Sequence, residues 1–204
     1  MTIIAGMVIK TMNLVSASGL VLDIEKPNLS DITLKDIAVG LSREERFNGN
    51  TIVPYSVAQH SCHVADYTAV YPGAWESLVQ AALLHDASEA YLGDIVMPLK
   101  TILPDYQRIE DIWNRAIFRR FSVPFEFLSH PAVKGSDKTI FLCEVRNLIR
   151  DPFKYGVYTS FADYSYDHVK KDYAGITGLE ANNVMGREQA AARFLTTAAL
   201  LELS

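Results

Sequence analysis

Apolar positions recur every three or four residues along most of this chain, and that spacing predicts helices. Thr33-Leu34-Lys35-Asp36 has the character of a capping box, and Ile37, Ala38 and Leu41 carry a helical period to about residue 43. Ser56-Val57-Ala58-Gln59 is a Ser-x-x-Gln box opening a helix over about 56–70. Pro72-Gly73 breaks the chain. Trp75, Leu78, Val79, Ala82 and Leu83 then predict a second main helix over 74–91. Beyond Gly93-Asp94, the segment Ile95 to Lys100 reads as a loop held by Pro98. Tyr106, Ile109, Trp113, Ile117 and Phe121 predict a third helix over 105–121, and His130-Pro131 opens another over about 131–150. Ala190, Phe194, Ala198 and Leu201 form the inner stripe of a closing helix over about 186–203.

Two stretches lack this period. Residues 3–22 are rich in Ile, Val, Leu and Met, with Gly6 and Gly19 as punctuation, and predict short strands or an extended lead-in. Residues 151–182 carry Phe153, Tyr155, Tyr158, Phe161, Tyr164, Tyr166 and Tyr173 without regular spacing. They read as a long connection, a lid or an interface. The expectation is an all-α single domain over 1–204, with its core in about 30–150.

Composition narrows the class. The chain has 204 residues and is 49% hydrophobic, enough for one well-cored domain. A formal charge of -5 argues against a nucleic-acid binder but not against a small anion held by a few local cations. Cys62 and Cys143 lie inside apolar helical patterns, which favours reduced thiols and a cytoplasmic setting over a disulfide. The N-terminus lacks a basic leader, Lys10 interrupts its apolar run, and no stretch approaches the ~18 apolar residues of a membrane span.

The candidate chemistry centres on residues 81–94, AALLHDASEAYLGD. An apolar run ends in His85-Asp86, and one nitrogen and one oxygen there can converge on a cation if the helix end faces a cleft. Taken alone, the pair serves equally well to cap a buried helix. Glu89 follows at i+4 from His85, where a continuing helix would set it beside the pair. Other ligands come from other helices: His60 in the first turn of its helix, and Asp137, a carboxylate on or near a buried stripe that needs a partner or a metal. Together they form an N2O2 set suited to one divalent ion: Mn, Co, Fe, Ni or Zn. His63, at i+3 from His60, reads as structural, and Glu144 as a partner for a basic group.

The order His…His-Asp…Asp, with Glu89 and Asp94 following the dipeptide, resembles the HD-domain phosphohydrolases, and among them the helical 5'-deoxynucleotidase branch. LSREERFNGNTIVPYSVAQHS is similar to that branch's Arg-aromatic segment before the first His. REQAAARFLTTAALLEL is similar to the closing helix of small bacterial and phage members. The resemblance covers about residues 12–203.

It implies an HD-type helical bundle with His60, His85, Asp86 and Asp137 as ligands to one metal ion. Glu89 would orient or deprotonate the attacking water, and Asp94 would position that water or assist the leaving oxygen. Arg46 would hold the phosphate. Phe47 would pack on sugar or base, at a position where the branch often has Trp. Lys100 would add a phosphate cation. The expected substrate is a deoxynucleotide, cleaved at the phosphorus bonded to the 5' oxygen. Two reactions stay open: a 5'-deoxynucleotidase acting on monophosphates, and a phage-type dATP triphosphohydrolase. Arg108, Arg115 and Lys138 join Lys100 as candidates for a longer phosphate chain. Competing readings are an HD hydrolase of a signalling nucleotide and a non-catalytic nucleotide-binding protein. The resemblance also implies a homo-oligomer in the cytoplasm, or in the host cytoplasm for a phage-encoded copy, with no nucleic-acid or membrane partner.

Overall fold

Side-chain caps fix the starts of three of the described α-helices. The computed structural model describes residues 2–4, 7–9, 13–151 and 183–204. Helix α1 (Leu34–Leu41) begins where Thr33 Oγ1 accepts from the Asp36 amide at 3.0 Å. The Asp36 carboxylate does not return to the cap. It accepts from Ser18 N at 2.7 Å and Ser18 Oγ at 2.9 Å. That pair of bonds ties α1 to the antiparallel hairpin of β3 (Asn13–Val15) and β4 (Val21–Asp23). A second antiparallel hairpin, β1 (Thr2–Ile4) with β2 (Met7–Ile9), completes the extended lead-in.

Helix α2 (Val57–Ala69) is capped by Ser56, whose hydroxyl accepts from Gln59 N at 3.3 Å. The other half of the predicted box is absent. The buried Gln59 amide instead donates to Asn183 O at 3.1 Å and accepts from Met185 N at 2.8 Å. It thereby anchors the approach to the closing helix α8 (Arg187–Leu200). Helix α7 (Pro131–Leu148) starts with Pro131, and His130 Nδ1 accepts from Ala132 N at 3.2 Å.

Around α2 pack α3 (Glu76–Leu84), α7 and α8, while α1 lies against α8 and α4 (Glu89–Leu92). Val57, Ala58, Cys62, Val64 and Ala65 make α2 the centre of one buried cluster drawing on residues from Leu22 to Leu203. Each fully buried Leu, Ile or Phe there contributes about 1.5–3 kcal/mol. Helix α6 (Pro104–Arg120) closes one side with Ile109, Trp113, Ile117 and Phe118, and the Trp113 indole N–H donates to Ile24 O at 2.9 Å. The fold is all-α, as its periodicity predicts. Cys62 and Cys143 are buried and are not joined in a disulfide. Among the described residues, no helix is long and apolar enough to cross a membrane.

Several elements depart from expectation. The helix predicted over 74–91 is two helices, α3 and α4, separated by turns at 85–88. Trp75 is the residue before α3, half exposed, with its ring edge-on to Phe127 and His130. The predicted loop before residue 100 contains a one-turn helix, α5 (Met97–Lys100); Pro98 stands in its first turn, where a missing N–H is harmless. Leu201 caps α8 and is only partly buried, whereas Ala190, Phe194 and Ala198 are fully buried. The aromatic connection lies outside the described residues, apart from Asp151.

Candidate metal centre

Three helices deliver the candidate ligands. The Ser56 cap fixes the first turn of α2, and His60 stands there with no exposed surface. His85 follows α3 directly, and its Nδ1 lies 2.7 Å from Ala82 O, one turn back. The backbone then tightens, with Ala87 N bonding Leu84 O and Glu89 N bonding Asp86 O at 3.0 Å each. These i→i+3 bonds break the regular helix and let His85 and Asp86 reach the same point, which neighbours on a straight helix cannot do. Asp137 and Glu144, two turns apart on α7, share the facing stripe.

The donor atoms converge. The Nε2 atoms of His60 and His85 are 3.2 Å apart. Asp86 Oδ2 is 3.0 Å from His85 Nε2 and 3.5 Å from His60 Nε2. Asp137 Oδ1 is 3.3 Å from His60 Nε2 and 3.7 Å from His85 Nε2. His60, His85 and Asp86 each offer an atom within 4.8 Å of the others.

Hydrogen bonding behind the rings sets their tautomers. His60 Nδ1 is 2.6 Å from Glu144 Oε1 and His85 Nδ1 faces a carbonyl, so both Nδ1 atoms are donors. Two neutral rings so held point two lone pairs at each other, beside two carboxylates. Only a cation or a proton at their meeting point relieves that arrangement. Without an ion, protons take the place: burial alone pulls the His85 ring down, but Asp86 and Asp137 outweigh it and lift the ring to about 10. His60 moves up as well, Glu144 and Asp137 overcoming burial and Arg46. Asp86 and Asp137, although desolvated, are held below the usual carboxylate range by the two imidazoles. A field that retains protons on two buried imidazoles is one that attracts a divalent ion, and the donor set fits one.

The other predicted residues border this point. Glu89 is buried, its Oε2 has no hydrogen-bond partner among the described residues, and burial together with Asp86 and Asp94 pushes its carboxyl well up. Asp94 follows Gly93, whose φ of 81° turns the chain after α4. Burial raises Asp94 against the opposing pull of Arg46.

Arg46 reaches this place because its amide bonds Tyr55 O at 2.9 Å, pinning it beside the start of α2. Its Nε and one terminal nitrogen donate to Glu144 Oε2 at 3.3 and 3.1 Å. The other terminal nitrogen faces Asp86 at 3.8 Å and Asp94 at 3.9 Å. Phe47 and Asn48 follow in left-handed conformation, φ 56° and 52°, which is unusual for a bulky residue. The Phe47 ring stacks on Phe141 at 5.7 Å. Lys100 Nζ is 2.6 Å from Glu110 and 3.9 Å from Glu89, so it is an engaged cation at the edge of the site and not a solvated lysine.

Arg108 and Arg115 stand elsewhere, paired at the surface with Glu25 and Asp111. His63 Nδ1 lies 3.0 Å from the Tyr55 hydroxyl in a buried contact. Glu144 does pair with a basic group, Arg46, but its second bond, to His60, was not anticipated. The available signal was its position two turns from Asp137 on the same stripe.

No family model matches the chain. It is similar to "Uncharacterized protein YfdR" of Escherichia coli (strain K12), 39% identical over 124 residues, 61% of this chain and 65% of that protein. It is also similar to "Uncharacterized protein RCAP_rcc00048" of Rhodobacter capsulatus, 40% identical over 111 residues, 52% of this chain and 57% of that protein. The chain thus spans less than two thirds of the length of these curated relatives.

Proposed function

We propose that this protein is a metal-dependent phosphohydrolase that removes the 5'-phosphate from deoxynucleoside monophosphates by direct attack of water at phosphorus. One observation carries the reading: two imidazole Nε2 atoms 3.2 Å apart, both held as acceptors and flanked by Asp86 and Asp137. A divalent ion bound by His60, His85, Asp86 and Asp137 would supply charge to a phosphoryl oxygen and a water acidified toward neutrality.

The chain's own groups fit the remaining tasks. Arg46 has two of its nitrogens fixed by Glu144 and directs the third toward Asp86 and Asp94, beyond hydrogen-bonding distance of both. That edge is suited to a phosphate oxygen. Glu89, its proton affinity raised by burial and two carboxylate neighbours, is the group suited to take a proton from water. Asp94 stands where it can hold that water or return the proton to the leaving 5' oxygen. Phe47 offers an aromatic face next to Arg46 for sugar or base. The buried Cys62 thiol, pushed up to about 12, is an inert group and not a nucleophile.

Arg46 beside Asp86 would hold one phosphate, and Lys100, paired with Glu110, stands at the edge of the site. The surface engagement of Arg108 and Arg115 favours a monophosphate over the dATP triphosphate alternative.

Purified protein with Mn or Co, given each deoxynucleoside mono-, di- and triphosphate separately, tests this by chromatography of the products. Nucleoside and orthophosphate from the monophosphates are expected. Deoxyadenosine and intact triphosphate from dATP would transfer the reading to a triphosphohydrolase, and no turnover would reject it. The implied homo-oligomer is tested by sedimentation of the same sample.

A further inference from the structure

Behind the candidate site lies a carboxylate with no exposed surface, Glu144, whose two oxygens serve two different functional groups. Oε1 accepts from His60 Nδ1 at 2.6 Å. Oε2 accepts from Arg46 Nε and one terminal Arg46 nitrogen at 3.3 and 3.1 Å. The Tyr55 hydroxyl adjoins the same carboxylate. The acceptor capacity of one carboxylate is thus divided between a metal-site ring and the guanidinium assigned to phosphate.

We infer that Glu144 is a positioning residue that couples metal binding to phosphate binding, a role that rests on the proposed phosphohydrolase function. Its bond to His60 fixes the tautomer in which Nε2 is the acceptor. Its bond to Arg46 consumes the inner edge of the guanidinium and leaves the remaining terminal nitrogen on the side of Asp86 and Asp94. A carboxylate that shifted to follow one partner would draw its other oxygen away from the second. The two carboxylate oxygens are equivalent acceptors, and no neutral side chain of the same shape reproduces that. A glutamine has one oxygen and one NH2 group, so one of the two donors would meet another donor. Seven positions separate Asp137 from Glu144, and that spacing lets one face of α7 provide both a ligand and the brace for another ligand.

The test is a double-mutant cycle on the full chain with Glu144→Gln, Arg46→Ala and the double variant, each checked by circular dichroism. Free Mn(II) followed by electron paramagnetic resonance during titration gives metal affinity without reference to turnover. Glu144→Gln is expected to weaken Mn(II) binding about 10- to 100-fold. At saturating Mn(II), it is expected to raise KM for a deoxynucleoside monophosphate in the wild-type background and to have no such effect once Arg46 is alanine. If Glu144→Gln does not fold, Glu144→Asp replaces it, because a side chain one methylene shorter cannot reach both partners. Wild-type Mn(II) affinity in the variant, or KM effects that simply add, would overturn the inference alone. A wild-type protein that takes up no divalent ion would overturn the proposed function and the inference together.

Discussion

His60 and His85 come from different helices, yet their Nε2 atoms stand 3.2 Å apart while each Nδ1 is engaged on the opposite side of its ring. The proposed cation would sit between these rings, and Asp137 Oδ1, 3.3 Å from His60 Nε2, would share it. Asp137→Ala and His85→Ala should therefore lose divalent-ion binding. Thermal denaturation with and without Mn(II) reads this directly. Ligand at 100 times its Kd stabilises the native state by about 2.7 kcal/mol, and that gain should vanish in both variants. Equal metal content in wild type and Asp137→Ala would refute the ligand assignment.

Glu89 is expected to divide stability from activity. Its Oε2 is buried without a partner, and Asp86 and Asp94 repel its charge. Glu89→Gln should retain metal but lose turnover by about 10²–10⁴-fold. A carboxyl whose folded pKa is raised destabilises the native state increasingly as pH climbs from 4.5 through the folded value. The variant should lack that decline and, near neutral pH, exceed the metal-free wild type by on the order of 1 kcal/mol. Urea denaturation across pH with chelator present decides the matter; a less stable variant would contradict this account of the unpaired oxygen.

That His60, His85, Asp86 and Asp137 meet was legible because these residue types stand in a spaced order on predicted helices. The break after Leu84 was not. Apolar spacing runs from Leu78 through Leu83 without interruption, and what ends the helix is a ring-to-carbonyl contact at Ala82 followed by short i→i+3 turns. Gln59 looked like half of a capping box, but its partners lie beyond residue 182, at a sequence separation no local pattern encodes. Trp75 fitted the helical period and yet precedes α3, since period alone does not locate a helix start that has no side-chain cap. The position of Glu144 was readable, but its division between His60 and Arg46 required the packing of α2 against α7.

Gly40 was equally silent in the sequence, although it packs against Ala90, the neighbour of Glu89. A Cβ on Gly40 would lie 2.7 Å from both Cβ and O of Ala90, the residue after Glu89 on α4. Gly40→Ala should therefore push α1 from α4, destabilise the protein by about 1–3 kcal/mol and lower kcat while leaving Mn(II) affinity near wild type. Adding Ala90→Gly should restore only part of the loss, because the backbone oxygen and α-carbon of residue 90 would still crowd the new methyl at 2.7 and 2.9 Å. Unfolding curves and metal titration on the single and double variants check this; an unaltered kcat in Gly40→Ala would show that α4 need not hold Glu89 closely.

His63 should give the protein a distinct sensitivity to acid. Burial, aided by the charge of Arg193, lowers its imidazole from 6.5 to about 3, so the native state holds it neutral beside Tyr55. The unfolded chain binds the proton more readily. The stabilising effect of the neutral form is therefore complete above 6.5 and is lost as pH falls from 6.5 toward 3. Asp86, Asp137 and Glu144 also lose their native pairing in acid, so the wild-type curve alone does not isolate one residue. The difference between wild type and His63→Asn does. The variant should be less stable near neutrality, where packing and the Tyr55 contact are impaired, and the gap should narrow as pH falls through that window. Denaturant unfolding at a series of pH values measures it, and a gap independent of pH would mean that His63 is protonated as easily in the folded protein as in the unfolded chain.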